Sequence, residues 1–291
     1  MPTSTTLFSN SANLGTAQPG AVDRGRITMG PIHMSAIKLL CWAFLWLVIW
    51  NHARAEVIAV DPIAKAASEA GPTMTMLWEA AEPKLTIVAI MGGNGVINLT
   101  RNAGVVRNQT ANMLKLLTDR GQSKSMINIV IFDSPYTLDG GLDITPRYSS
   151  DHLNRIESVI RYYKDKLKTP VVIMGHSNGA VSVSEFINRS EEDRNLIAGV
   201  ILSGSRNDAR ISSEINFPVL VMHHQNDGCR GARPSTARSH FDRIKSLNKN
   251  RTEFKTIQGG TERGDPCTNG LHMYTEAYPE AAKVIEEFLL N

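Results

Sequence analysis

The stretch Thr169–Phe186, TPVVIMGHSNGAVSVSEF, constrains the fold most. Its first half is apolar and β-branched, the composition of a buried strand over Val171–Met174. Its second half has the apolar spacing of a helix over Ala180–Asn188. Only Gly175-His176-Ser177-Asn178-Gly179 separates them. A strand that runs straight into a helix forces a sharp turn, and the residue at its apex takes a strained backbone. Glycines two before and two after the apex keep side chains from colliding there. The apex hydroxyl, Ser177, is then pushed out above a sheet, beside the first amide of the helix. That amide, of Asn178, is a candidate donor to an oxyanion.

The rest of the chain from Glu56 continues the alternation. Thr73–Trp78 alternates Thr and Met before a turn at Ala80–Pro83. Leu85–Met91 (LTIVAIM) is a strand run that ends in Gly92-Gly93-Asn94-Gly95, and Asn128–Phe132 (NIVIF) is another. Asn108–Arg120 is predicted helical, as is Ser150–Leu167 with Ser150 or Asp151 as its cap. Ile197–Leu202 and Val219–His223 are further strands, and Ala277–Leu290 is a closing helix. Strands alternating with helices predict a mostly parallel sheet covered by helices on both faces. Such sheets bind ligands outside the carboxyl ends of their strands. The reading is one α/β domain over residues 56–291. The segment Ser203–Pro218 between two strands is too short for a separate lid domain.

The N-terminus reads as an address. Met34–Lys38 is a short positive start, Leu39–Trp50 is an uncharged apolar run of 12 residues, and Ala53-Arg54-Ala55 offers small residues at signal-peptidase spacing. A run that short does not span a membrane, for which about 20 residues are needed. Residues 34–55 are therefore expected to be a secretory signal cleaved after Ala55. Residues 1–33 are an unstructured or misassigned start. An uncleaved anchor helped by Trp42, Trp46 and Trp50 is the competing reading. The net charge of +3 lies in this region, in Arg24, Arg26, Lys38 and Arg54 against Asp23. The remainder is neutral, which gives no electrostatic case for nucleic acid or a membrane surface as partner. After cleavage two cysteines remain, Cys229 and Cys267, and an even count in an exported chain suggests a disulfide.

Gly175-His176-Ser177-Asn178-Gly179 resembles the nucleophile elbow of the α/β-hydrolase family. The resemblance covers residues 73–291 and implies a serine nucleophile, then an acid, then a histidine, in chain order. A serine hydroxyl needs a base to take its proton. His272 stands just before the last helix, where the family carries its histidine; His223, His224 and His240 are rivals, the last read as a helix-surface residue. Asp227, four residues past the expected strand Val219–His223, is at the family's usual acid position. Asp208 is the alternative and Asp265 a third. In the family a His-Gly dipeptide often follows the strand equivalent to LTIVAIM, and the next residue gives its amide to the oxyanion. Here Met91-Gly92 stands instead, so Gly93 is the expected second donor, with Asn94 behind it.

A bond between Cys229 and Cys267 would tie the acid loop to the histidine loop. No HExxH or paired CxxC is present, so no metal site is expected, and the glycine run after Met91 lacks the Lys-Ser/Thr ending of a phosphate loop. No cofactor is expected. Ser134, Pro135 and Tyr136 follow a strand end and are candidates to line the site. The resulting expectation is an exported serine hydrolase of small carboxylic esters, acting through an acyl-enzyme. A peptidase or amidase of the same fold, and a noncatalytic binding protein on it, are the alternatives.

Overall fold

In the computed structural model the described residues are 55–63, 71–99, 105–118, 125–135 and 145–291. The expected start (1–33), all of the expected signal but Ala55, and Tyr136 lie outside them. Eight strands form one sheet in the order β1-β2-β4-β3-β5-β6-β7-β8. They are β1 Ala55–Val60, β2 Thr73–Trp78, β3 Leu85–Ile90, β4 Ile127–Phe132, β5 Val171–His176, β6 Gly199–Ser203, β7 Val219–His224 and β8 Thr252–Ile257. From β4 across to β8 every pair is parallel. β1 and β2 are antiparallel additions at one edge.

The helices are α1 Gln109–Lys115, α2 Ser150–Leu167, α3 Asn178–Arg189, α4 Glu191–Leu196, α5 Pro234–Leu247 and α6 Tyr278–Leu290. The core is split by the sheet. Val88 and Ile90 of β3, with Val130 and Phe132 of β4, share one side of the sheet with Leu153, Ile156 and Ile160 of α2 and Val181 and Val183 of α3; Ala237 and Ile244 of α5 continue that side over β7 and β8. Leu85, Ile87 and Ala89, with Ile127, Ile129 and Ile131, face Met113 and Leu114 of α1 and Ala281, Ile285 and Phe288 of α6. The two-residue period of a strand sends alternate side chains to the two sides. Because both sides are covered, the central strands read as unbroken apolar runs.

Several boundaries differ from expectation for local reasons. α1 is shorter than Asn108–Arg120: Asn108 is its N-cap, accepting from the Ala111 amide, and helical hydrogen bonding gives way to a turn at Leu116. The cap of α2 is neither Ser150 nor Asp151 but Ser149, whose hydroxyl accepts from the His152 amide. β1, β8 and α4 carry weaker apolar patterns and are additions to the expected set, and α5 gives bounds to the helix on which His240 was expected. No helix among the described residues is long and apolar enough to cross a membrane.

Candidate active site

The elbow is as tight as its glycines require. Ser177 has φ 53° and ψ −119°, outside the regions most residues adopt. A Cβ on Gly175 would lie 2.4 Å from the Gly179 carbonyl oxygen, and one on Gly179 only 2.0 Å from that of Ile90. Any side chain at either position would force β5, α3 and β3 apart. The Ser177 amide donates to Ser203 O at the end of β6 (3.0 Å), which fixes the turn to the neighbouring strand. α3 begins at Asn178, and the Asn178 amide takes no hydrogen bond among the described residues.

His272 sits in a 3-10 turn, Leu271–Met273, between Gly270 and a left-handed Tyr274. Its Nδ1–H donates to Asp227 Oδ2 at 2.7 Å, with both side chains fully buried. That bond fixes the tautomer and leaves Nε2 with a lone pair. Nε2 is buried and takes no hydrogen bond among the described residues. Asp227 Oδ1 accepts from the Cys229 amide (2.8 Å), and Oδ2 also lies 3.0 Å from His223 Nε2. Burial would raise the Asp227 pKa; hydrogen bonds from His223 and His272, then the His272 charge, outweigh it and hold this carboxyl below the usual range. It stays ionised and can stabilise an imidazolium. A Cβ on Gly204, the residue after β6, would come within 3.4 Å of His272 Cε1, so the imidazole stands over the strand end that holds Ser177. Ser177 and His272 share no hydrogen bond in this structure.

The rivals have other places. His223 Nε2 donates to Ala232 O (3.0 Å) as well as facing Asp227, so it supports the acid. His224 Nε2 donates to Gly259 O (2.8 Å), while its Nδ1 accepts from Asn226 N (3.1 Å). His240 is buried rather than on a helix surface: it shares the inner stripe of α5 with Ala237 and Ile244. Asp208 pairs with Arg206 at 3.2 Å and is partly exposed. Asp265 is exposed and closes its own turn, accepting from Cys267 N (2.9 Å) and Thr268 N (3.0 Å).

His176, just before Ser177, is fully buried, with its ring 5.1 Å from that of His272. Burial, reinforced by His272, holds it well below the ordinary imidazole value, so it is neutral. Tyr274 donates to Met222 O (3.2 Å) and lies 3.0 Å from Ser203 Oγ, itself 3.1 Å from His176 Nδ1. With the tyrosine proton given to Met222, Ser203 donates to Tyr274 and His176 Nδ1–H to Ser203. This buried chain fixes the floor beneath the imidazole.

The loop after β3 rests against Ser177, since a Cβ on Gly92 would be 2.8 Å from Ser177 Cβ. Gly93 has φ 56°, open to glycine at least cost. Its amide takes no hydrogen bond among the described residues. Its carbonyl accepts from Asn178 Nδ2 (2.8 Å), which links the two expected oxyanion donors. Two supports of this loop escape sequence reading. Asp133, at the end of β4, accepts from the amides of Ile97 (2.6 Å), Asn98 (3.2 Å) and Leu99 (2.8 Å). Burial raises its pKa, against those three amides. Arg147 is the second, described below. Ser134 is buried and its amide donates to Gly95 O (3.0 Å), so it backs the loop. Cys229 and Cys267 are joined in a disulfide that ties the acid loop to the histidine loop. No group of residues suited to hold a metal ion occurs among the described residues.

No protein-family model and no curated protein sequence matches this chain. Solved structures do. An α/β serine hydrolase without a lid from Xanthomonas campestris superposes with TM-score 0.53 at 12% identity, covering 81% of this chain and 94% of that one. A dienelactone hydrolase from Anabaena variabilis gives 0.53 at 14%, covering 81% and 97%. An esterase from Pyrobaculum calidifontis gives 0.51 at 13%, covering 89% and 94%. With the parallel sheet, the strand-to-helix serine and the strand order above, these similarities show that the chain has the α/β-hydrolase fold.

Proposed function

We propose that the protein is an exported serine hydrolase that cleaves carboxylic esters through an acyl-enzyme, with residues 56–291 as one catalytic domain. Ser177 Oγ attacks the ester carbonyl carbon, and His272 Nε2 takes its proton. Asp227 holds the imidazole by Nδ1 and balances the imidazolium that forms. The amides of Asn178 and Gly93 receive the oxyanion. Collapse breaks the ester C–O bond, and His272 returns the proton to the leaving alkoxide. Water then repeats the sequence on the acyl-enzyme, with His272 again as base, and releases the acid and free Ser177.

The observation that carries this reading is the buried 2.7 Å Asp227–His272 bond with Nε2 left open, on the strand-end rim that also bears a serine at φ 53°. That Ser177 and His272 share no hydrogen bond is compatible with it, because catalytic hydrogen bonds often tighten only in the complex with substrate. Preference for small esters is supported by the esterases and the dienelactone hydrolase among the structural neighbours. Export is supported by the apolar run before Ala55 and by the disulfide.

A fluorophosphonate probe tests the chemistry. Wild-type protein is expected to be labelled once per chain and Ser177→Ala not at all. Wild type that resists the probe and turns over no ester in a panel of varied acyl length would favour the noncatalytic reading. Faster turnover of peptide amides than of esters would favour a peptidase.

A further inference from the structure

Arg147 is one of the largest fully buried side chains in the protein. It stands in the 3-10 turn Thr145–Tyr148, just before α2. A guanidinium taken out of water is costly unless its N–H groups are satisfied. Nη2 donates to Met91 O (3.2 Å) and Gly93 O (3.0 Å), two carbonyls of the loop after β3. Nη1 donates to Ser182 Oγ (2.9 Å), one turn into α3, the helix that Ser177 heads. Ser182 Oγ is also 2.9 Å from His152 Nε2 of α2. One buried cation thus joins the glycine loop to the elbow helix.

In a trans peptide the N–H points opposite the preceding C=O, so holding a carbonyl aims the next amide. Arg147 holds Met91 O and Gly93 O. Gly92 O, between them, accepts from Gly95 N at 3.0 Å. Three successive peptide planes around Gly93 are therefore fixed, although this glycine stretch is the kind of backbone that loses most freedom on ordering. The planar fork of arginine reaches loop and helix at once; a lysine ammonium is a point charge without that geometry.

We infer that Arg147 is a positioning residue for the oxyanion site: it clamps the carbonyls of Met91 and Gly93, in the two peptide planes that flank the one carrying the Gly93 N–H, and together with Gly95 N on Gly92 O keeps that N–H aimed at the reacting carbonyl oxygen. The inference rests on the hydrolase reading above. It also gives a physical role to the departure at Met91-Gly92, where the loop lacks the histidine often found in the family it resembles and is anchored from Arg147 instead.

The test compares wild type with Arg147→Met, Arg147→Lys and Ser182→Ala, with active sites counted by fluorophosphonate titration. Arg147→Met is expected to lower kcat per titrated site about 10- to 100-fold with KM within about threefold, the signature of an interaction made in the transition state. Binding of a trifluoromethyl ketone, which forms an oxyanion on Ser177, is expected to weaken by the same factor. Free guanidinium, and not ammonium, is expected to restore part of the rate. Arg147→Lys falls between. Ser182→Ala removes one anchor of the fork and, keeping the fold most easily, is expected to lose about 2- to 5-fold on the same logic. A folded Arg147→Met with kcat per site and ketone affinity within about twofold of wild type overturns the inference. If that variant does not fold, the same wild-type values in both Arg147→Lys and Ser182→Ala overturn it. Failure of wild type itself to label through Ser177 defeats the hydrolase reading, and the clamp with it; normal wild-type labelling with unaffected variants defeats the clamp alone.

Discussion

Asn178 offers two groups in two directions. Its amide begins α3 and is one of the two proposed oxyanion donors, while its side-chain Nδ2 donates to Gly93 O at 2.8 Å. Replacing the side chain leaves the backbone amide in place, so the two contributions can be separated. Asn178→Asp puts a carboxylate oxygen where the Nδ2 donor was and sets it against the Gly93 carbonyl. The loop is expected to move away, with kcat falling about 10- to 100-fold as one oxyanion donor loses its aim. Asn178→Ala only removes the link and is expected to lose less. Because the side chain is half-exposed, stability should stay within about 0.5 kcal/mol by urea unfolding. Loss of stability in proportion to loss of rate would mean that the side chain serves the fold and not the loop's aim.

At the scale of elements, the disulfide joins two loops that each carry one member of the hydrogen-bonded Asp227–His272 pair. Cys229 follows Asp227 by two residues, and Cys267 precedes His272 by five. The bridge spans a sequence separation of 38 residues, for which the chain-entropy estimate is about 3–4 kcal/mol. Cys229→Ser/Cys267→Ser is expected to lose stability of that order by urea unfolding and to turn over more slowly per titrated site. Unchanged stability and rate would show the bridge to be idle. The elements that were legible in the sequence are those buried on both faces, such as LTIVAI in β3 and INIVIF in β4. β8, TEFKTI, is a half-exposed edge strand whose Lys and Glu interrupt the pattern. α5 buries only Ala237, His240 and Ile244, a stripe at spacings of three and four that makes sense once His240 counts as an inner residue. The antiparallel β1–β2 edge depends on long-range pairing that local pattern does not encode. The acid–histidine pair was legible because strand ends and turn residues mark it. Asp133 and Arg147 were not, because the loop groups they hold are backbone amides and carbonyls, which every sequence carries alike.

Across the whole molecule, two buried imidazoles among the described residues are held well below their ordinary value, and a third, His240, is lowered by burial. His152 is kept well below its ordinary value by burial first, and then by the nearby cations Arg147 and Arg155. His176 is kept low by burial and by His272. In the unfolded chain both titrate near pH 6.5. A depressed folded value means that the stability is fully present above about pH 6.5 and is lost as the pH falls towards that folded value. Below about pH 6.5 the unfolded state binds two protons that the folded state refuses, a slope of roughly 3 kcal/mol per pH unit for the pair. The buried acids act lower. Asp227, depressed, adds its loss only as the carboxylate range near pH 4 is approached; Asp133 and Glu185, raised by burial, oppose it there. The histidines therefore govern the interval from about pH 6.5 down to pH 5. Against a total stability of about 5–15 kcal/mol for a domain, that interval removes a large share. Urea unfolding between pH 8 and 5 is expected to give a flat stability above about pH 7 and a steep fall below 6.5. His152→Gln is expected to cut that slope by about a third to a half whatever it costs at pH 8, since His176 and the less depressed His240 remain. A wild-type profile that stays flat to pH 5 would mean that both imidazoles accept protons in place, and the closed interior described around α2, α3 and β5 would have to open to water.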